Sequence, residues 1–367
     1  MAGLAPRHGP TRGMTAVGTT RDSTACAFLA ALPKVDLHIH LVGSVSASTL
    51  LTLARRHPEG GVPTERTSLD HWLEFDNDFA QFGQAYGLIS RLLIDASDLV
   101  ELIDGLAVEL AENNVRYAEV TVTPLAHLDS IPPDELGEAL RLGRSRAQAA
   151  HGIELGWIFD VSGELGVKAA KNTLQWVLRH GPDGTVGFGL GGPETDAPRG
   201  LFKECFDEAI SVGLHSVPHA GETVGPGSVW SALVDLRAER IGHGIRSVED
   251  PQLLSNLAAS GVALEVCPTS NLRTGAVESL LDHPLPTLLD AGVRVALGTD
   301  DPGMFGTDLT REYQLCNDVF GLSREQLVEI ALAGVESAFC PPPVARRIRS
   351  EIEQFALVAL RTRRRRG

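Results

Sequence analysis

Eight short runs rich in β-branched residues recur along the chain, and amphipathic stretches separate them. The runs fall at 35–40, 115–124, 153–161, 185–192, 214–220, 239–244, 261–268 and 292–300; the stretches between include 134–150, 164–179, 199–212, 228–237, 249–259 and 284–291. Strand–helix alternation builds a parallel sheet, because parallel neighbours need a crossover of helical length. Eight such units in this order predict an α/β fold of the closed (β/α)8 TIM-barrel type rather than an open doubly wound sheet. No G-x-G-x-x-G opens a helix after the first strand, and the glycines of GFGLGG (187–192) lie inside a strand, so a dinucleotide site is not expected. Two regions exceed a minimal barrel. Residues 46–111, mostly helical in pattern, form an insert after the first strand and a candidate lid; residues 308–360 read as extra helices after the eighth. With no internal repeat and no linker after residue 25, residues 26–360 are expected as one domain.

Composition narrows the function classes. A formal net charge of −15 argues against a nucleic-acid partner. No stretch approaches the ~20 apolar residues of a membrane span, so no membrane partner is expected. Residues 1–25 lack the apolar core of a signal peptide and are expected as a flexible leader, with Met14 a candidate alternative start. Five scattered cysteines without C-x-x-C pairing (Cys26, Cys205, Cys267, Cys316 and Cys340) fit reduced thiols in a cytoplasm. The terminal RTRRRRG (361–367) reads as a solvated basic tail.

Polar residues then gather where a parallel barrel does its chemistry, at the C-terminal strand ends. The first strand ends on His38 and His40. At i and i+2 these share one face, either gripping a cation or standing solvated on an edge strand. The fifth ends in His219-Ala220-Gly221-Glu222, the sixth in Gly242-His243-Gly244, and the eighth in Thr299-Asp300-Asp301-Pro302. Each alone has a bland explanation: a capped turn, or an Asp-Pro helix start. Together, His38, His40, His219 and Asp300 offer three imidazoles and a carboxylate, a set suited to one zinc ion, with iron, cobalt or manganese as alternatives. Glu222, His243 and Asp301 stay free for proton work. A second metal would need a bridging group such as a modified lysine, and none of Lys34, Lys168, Lys171 and Lys203 lies at a strand's C-terminal end.

In this order HxHxxGS, HAGE, GHG, LEVCPTSN (264–271) and TDDP resemble the adenosine deaminase family of the amidohydrolase superfamily, over roughly residues 32–340. The resemblance implies zinc ligation by His38, His40, His219 and Asp300. It implies that Glu222 protonates purine N1, that His243 orients the attacking water, and that Asp301 contacts N7 and assists proton movement. Gly192, in GGPE where a GDE-type sequence is usual, matches the glycine whose amide reaches N3. The cysteine-ligated nucleobase deaminases carry a different signature, which Cys267 does not fit.

Two positions depart from the family. HLVGS places Val42 where adenosine deaminases carry an aspartate that bonds the ribose 5′-hydroxyl. Thr121 stands where arginine is common. Both resemble the branch that acts on 6-aminodeoxyfutalosine in the futalosine route to menaquinone, whose substrate extends the 5′ position to a benzoate. The expected partner is therefore a small purine nucleoside. Adenosine or a methylthioadenosine is the alternative within the same chemistry; an amidohydrolase cleaving an amide and an inactive binding relative are the rivals outside it. Trp72, Phe75, Phe79 and Phe82 recur at near-helical spacing and are candidates to line the distal pocket, or else ordinary core. Arg91 and Arg273 are candidates for its carboxylate. Oligomeric state is not legible.

Overall fold

A computed structural model describes residues 23–74 and 79–364. All eight expected strands are present: β1 Lys34–His40, β2 Val115–Val122, β3 Glu154–Phe159, β4 Thr185–Leu190, β5 His215–Ala220, β6 Arg240–His243, β7 Ala263–Val266 and β8 Val295–Leu297. Each pairs in parallel with its sequence neighbour, in the order β1 to β8. The ring closes through residues of the chemical motifs themselves. Ile39 bridges Asp300, the amides of Thr299 and Asp300 donate to the His38 carbonyl, and the His40 amide donates to the Asp300 carbonyl at 2.8 Å. The fold is the expected (β/α)8 barrel. β8 is shorter than the run at 292–300: it begins only at Val295, after the left-handed turn at Gly292 (φ 77°), and ends at Leu297, before the left-handed backbone of Asp300 (φ 63°).

Helix Pro133–His151 illustrates how the outer layer forms. Proline occupies its first turn, Asp134 and Glu135 sit at its positive end, and Gly152 (φ 68°) terminates it by donating back to Ala147 and Gln148. Leu136, Ala139, Leu140 and Ala147 form its buried stripe. It packs against helix Ala96–Glu112, whose start is fixed by a capping box between Asp95 and Asp98. Because Ala96–Glu112 also contacts β2, it belongs to the barrel's outer layer. The extra material after β1 is therefore Ala47–Arg56, Arg66–Trp72 and Phe79–Leu92, shorter than the sequence pattern suggested.

The four lid aromatics do not share one helix. Trp72 ends Arg66–Trp72, Phe79 opens Phe79–Leu92, and Phe75 lies outside the described residues. Phe82 stacks on Phe305, just past β8, with ring centroids 4.9 Å apart, so the insert reaches across the C-terminal mouth. After β8, helix Arg324–Ser337 packs on β8 and β1, and Phe355 of helix Pro342–Arg364 meets Phe28 at 5.0 Å. The basic tail begins as the last turn of that helix, and residues 365–367 lie outside the described part. All five cysteines are free thiols. Among the described residues no helix is long and apolar enough to cross a membrane.

Candidate active site

Alternation along β1 turns Asp36, His38 and His40 to one face, the barrel interior. His38 is buried; its Nδ1 lies 2.8 Å from Glu265 Oε2 on β7, so its Nε2 faces the mouth and has no hydrogen-bond partner. His40 presents Nδ1 at 3.4 Å from Asp300 Oδ1 and 3.6 Å from Asp301 Oδ1, and its Nε2 is likewise unpartnered. Neither ring nitrogen of His219 has a partner, and its ring lies 4.6 Å from His38 and 5.3 Å from His40 by centroid. Asp300 Oδ1 is 3.6 Å from His38 Nε2, while its Oδ2 accepts a 2.6 Å hydrogen bond from Ser270. Room for two rings side by side comes from Gly242: a Cβ there would sit 2.8 Å from His38 Cε1 and 3.1 Å from His219 Cγ.

His243 Nε2 lies 3.7 Å from Glu222 Oε2 and 3.8 Å from Asp300 Oδ2. His243 (φ 61°) and Asp300 (φ 63°) both hold left-handed backbone, a strained choice for non-glycine residues that clusters at functional sites. Potential ligand atoms of His38, His219, His243 and Asp300 lie within 4.8 Å of one another, and so do those of His40, Asp300 and Asp301. The four sequence-named ligands thus meet through Asp300, with His243 closer to the cluster than the sequence indicated. Leaving one buried polar atom unpaired costs about 1–3 kcal/mol, so several orphaned imidazole nitrogens beside a carboxylate fit a cation. A nitrogen- and oxygen-rich donor set without sulfur suits zinc.

Electrostatics agree with that arrangement. Burial alone would lower His38, but Asp300 and Glu265 outweigh it and push its pKa up to about 10. His40 is likewise opposed by burial and raised by Asp301 and Asp300 to about 9. His219 moves well below its usual value, through burial and the neighbouring rings of His38, His40 and His243. Burial works against ionisation of Asp300, yet the histidines hold it well below the usual carboxylate range; burial and the adjacent Asp300 carboxylate push Asp301 up.

Beneath the cluster runs a buried ion chain that sequence reasoning missed. Arg240 Nε donates to Glu265 Oε1 at 2.5 Å, its Nη2 pairs with Glu119, and its Nη1 donates to the Ser337 carbonyl at 2.8 Å. The guanidinium lies 3.9 Å from the Phe339 ring centroid. Glu265 in turn holds His38. Burial would raise Glu265, but Arg240 and His38 keep it below the usual range. Removing one member leaves buried charge uncompensated. Arg240→Met is therefore expected to lower unfolding stability by about 3–5 kcal/mol, read as a lower urea midpoint at unchanged m-value. An unmoved midpoint would mean that the ion chain carries no stability.

Around the mouth, Glu222 is partly exposed; its Oε1 accepts a 3.0 Å hydrogen bond from Thr274. Buried Glu194 builds the loop beneath it, accepting the amides of Gly221, Glu222 and Thr223 at 2.8–3.0 Å. Gly43 sits where a Cβ would come 1.7 Å from Asp301 Oδ1, so only glycine lets the loop after β1 close on Asp301. Val42 is buried in the apolar core next to that glycine, and Thr121 pairs with His40 across β1 and β2. Gly192 is exposed just beyond β4 with φ 73°, its Cβ position 2.1 Å from Ser162 Oγ. Arg273 reaches toward the insert, 3.4 Å from the Leu73 carbonyl, whereas Arg91 is exposed on helix Phe79–Leu92. Asp160, at the end of β3, accepts a 2.5 Å hydrogen bond from Thr123; burial raises it while His40 and His38 pull it down, which sets it beside the cluster. The alternation in β3 marks Asp160 as inward-facing, a signal the sequence reading did not use.

A parallel barrel with imidazoles and carboxylates at its C-terminal mouth has the makings of a metal-dependent hydrolase. The Adenosine deaminase family profile matches residues 33–355. Aminodeoxyfutalosine deaminase of Streptomyces coelicolor is 45% identical over 332 residues, 90% of this chain and 86% of its own length. The protein of the same name from Streptomyces avermitilis is 44% identical over 351 residues, covering 95% and 97%. Among solved structures, an amidohydrolase from Burkhoderia ambifaria with bound Zn superposes with a TM-score of 0.84 at 25% identity, covering 94% of this chain and 97% of its own. The chain belongs to the adenosine deaminase family.

Proposed function

We propose that this chain removes the C6 amino group of an adenine nucleoside with an apolar 5′ extension, and that 6-aminodeoxyfutalosine is its substrate. Two relatives at 44–45% identity carry the name aminodeoxyfutalosine deaminase. The observation that carries the reading is Val42, buried on the loop after the two β1 histidines. An apolar residue there offers a 5′-hydroxyl nothing, and leaving that hydroxyl unpaired costs ~1–3 kcal/mol. The substrate would place the enzyme in the futalosine route to menaquinone, and the free thiols suit a reducing cytoplasm.

His38, His40, His219 and Asp300 would hold one zinc ion, the metal their donor types favour. When bound, such an ion supplies a nucleophile at neutral pH by lowering the pKa of water toward ~7. The side chains do the remaining work. Glu222 gives its proton to ring N1 as oxygen adds to C6, quenching the negative charge that would otherwise build on the ring. His243 orients the incoming water from beside Glu222 and Asp300. Asp301 contacts N7 and helps carry a proton to the departing amino group, which leaves as ammonia. Gly192 offers a backbone amide to N3.

Comparing kcat/KM for 6-aminodeoxyfutalosine, adenosine and methylthioadenosine, followed by the ultraviolet change from adenine to hypoxanthine, tests the proposal. A preference for adenosine would overturn it. Val42→Asp is expected to move the ratio of the first two toward adenosine by about 5–150-fold, the equivalent of ~1–3 kcal/mol.

A further inference from the structure

The proton arrangement of His243 follows from one donor whose identity is fixed. The backbone amide of Leu285 can only donate, and it points at His283 Nδ1, 3.1 Å away. His283 is buried and stays neutral at physiological pH, since burial pushes its pKa down to about 4. Its single proton is therefore on Nε2, which lies 3.1 Å from Asn271 Oδ1. That contact sets the orientation of the Asn271 amide, a choice made by the hydrogen-bond network. The amide nitrogen of Asn271 then faces His243 Nδ1 at 3.2 Å and donates to it. His243 Nδ1 consequently holds a lone pair, and the proton of the neutral ring resides on Nε2, directed toward Glu222 and Asp300.

We propose that Asn271 and His283 are positioning residues that hold His243 as an Nε2–H donor at the mouth of the site. The inference rests on the deaminase reading for its catalytic meaning but not for its geometry. It has two consequences. With Nδ1 occupied by Asn271 and Nε2 protonated, His243 has no lone pair for a cation, despite its proximity to His38, His219 and Asp300. It also acts on the incoming water by donating a hydrogen bond rather than by removing a proton at Nε2. Both supporting residues are buried, and neither touches the proposed substrate-facing groups except through His243.

Nitrogen-15 spectra of histidine-labelled, zinc-loaded full-length protein test this. The His243 ring is expected to show a bare Nδ1 and a protonated Nε2; a protonated Nδ1 would overturn the proposal. Asn271→Asp places an acceptor-only group against His243 and should move the proton to Nδ1. It should lower kcat by about 10–100-fold, with KM and zinc content little changed. His283→Leu should produce a similar loss, and His283→Gln, which can still donate to Asn271, should recover most of it. Equal impairment by Leu and Gln, with the His243 signals unmoved, would reduce His283 to a packing role and overturn the relay, as would wild-type kcat in both. If Asn271→Asp does not fold, the wild-type spectrum and the His283 pair still decide. The spectra need no substrate: a wild-type protein without turnover on adenine nucleosides would sink the functional reading and leave the tautomer result standing.

Discussion

Replacing Glu222 by glutamine is expected to lower kcat by about 10²–10⁴-fold while KM and zinc content stay close to wild type. The expectation rests on how little of the loop's geometry depends on the acid itself. Glu194 gathers three consecutive amides, those of Gly221, Glu222 and Thr223, and also pairs with the Ser228 hydroxyl at 2.5 Å. Burial works against the Glu194 charge, but these donors hold it below the usual carboxylate range, so the loop is built around a fixed anion. Thr274 then pins Glu222 Oε1, a bond that a glutamine carbonyl also accepts. Glutamine thus keeps the shape and the anchor and loses only the transferable proton. Steady-state kinetics with metal analysis separate this outcome from a collapsed site. Turnover within a few-fold of wild type would remove Glu222 from the acid role, and a parallel loss of zinc would mean that the variant had damaged the cluster instead.

The barrel was legible because period-2 alternation and strand–helix repetition are local signals. The convergence of His38, His40, His219 and Asp300 was legible for a related reason: in a parallel barrel, the ends of all strands reach the same mouth. Glu119, Arg240 and Glu265 stayed invisible because a charge in a short strand reads like an outward position. Only closure of the ring brings Arg240 to Glu119, 121 residues away. Asn271 and Ser270 fall inside the LEVCPTSN run, but their partners, His243 and Asp300, lie 28 and 30 residues off. The spacing of Trp72, Phe75, Phe79 and Phe82 left pocket lining and ordinary core both open; Trp72 and Phe82 pack against the main hydrophobic core, with Trp72 ending one helix and Phe79 opening the next. The insert was drawn too long because nothing in the pattern of Ala96–Glu112 separates a lid helix from one packed on the barrel.

Chelation of the metal is expected to abolish turnover, with zinc restoring it, and the affinity of the stripped protein for zinc should rise steeply with pH. The sign follows from the ligands. With no cation bound, Asp300 and Glu265 raise His38 to about 10, and Asp301 and Asp300 raise His40 to about 9. Both rings therefore carry an extra proton near neutrality, and ligation requires their lone pairs. Zinc uptake should release up to about two protons, so its apparent affinity should climb by about ten-fold per proton for each pH unit, levelling off above about pH 9–10. Stability of the stripped protein runs the other way. Folded pKa values above the unfolded ~6.5 contribute stability that is fully present below that value and is lost as pH rises through about 9 and 10. The gap between zinc-bound and stripped unfolding midpoints should consequently widen from acid to alkaline pH. Competition against a chromophoric chelator and thermal melts across that range measure both effects. An affinity flat between about pH 6 and 9 would show that the histidines bind the ion without surrendering protons, and would break the link drawn here between His38, His40 and the carboxylates around them.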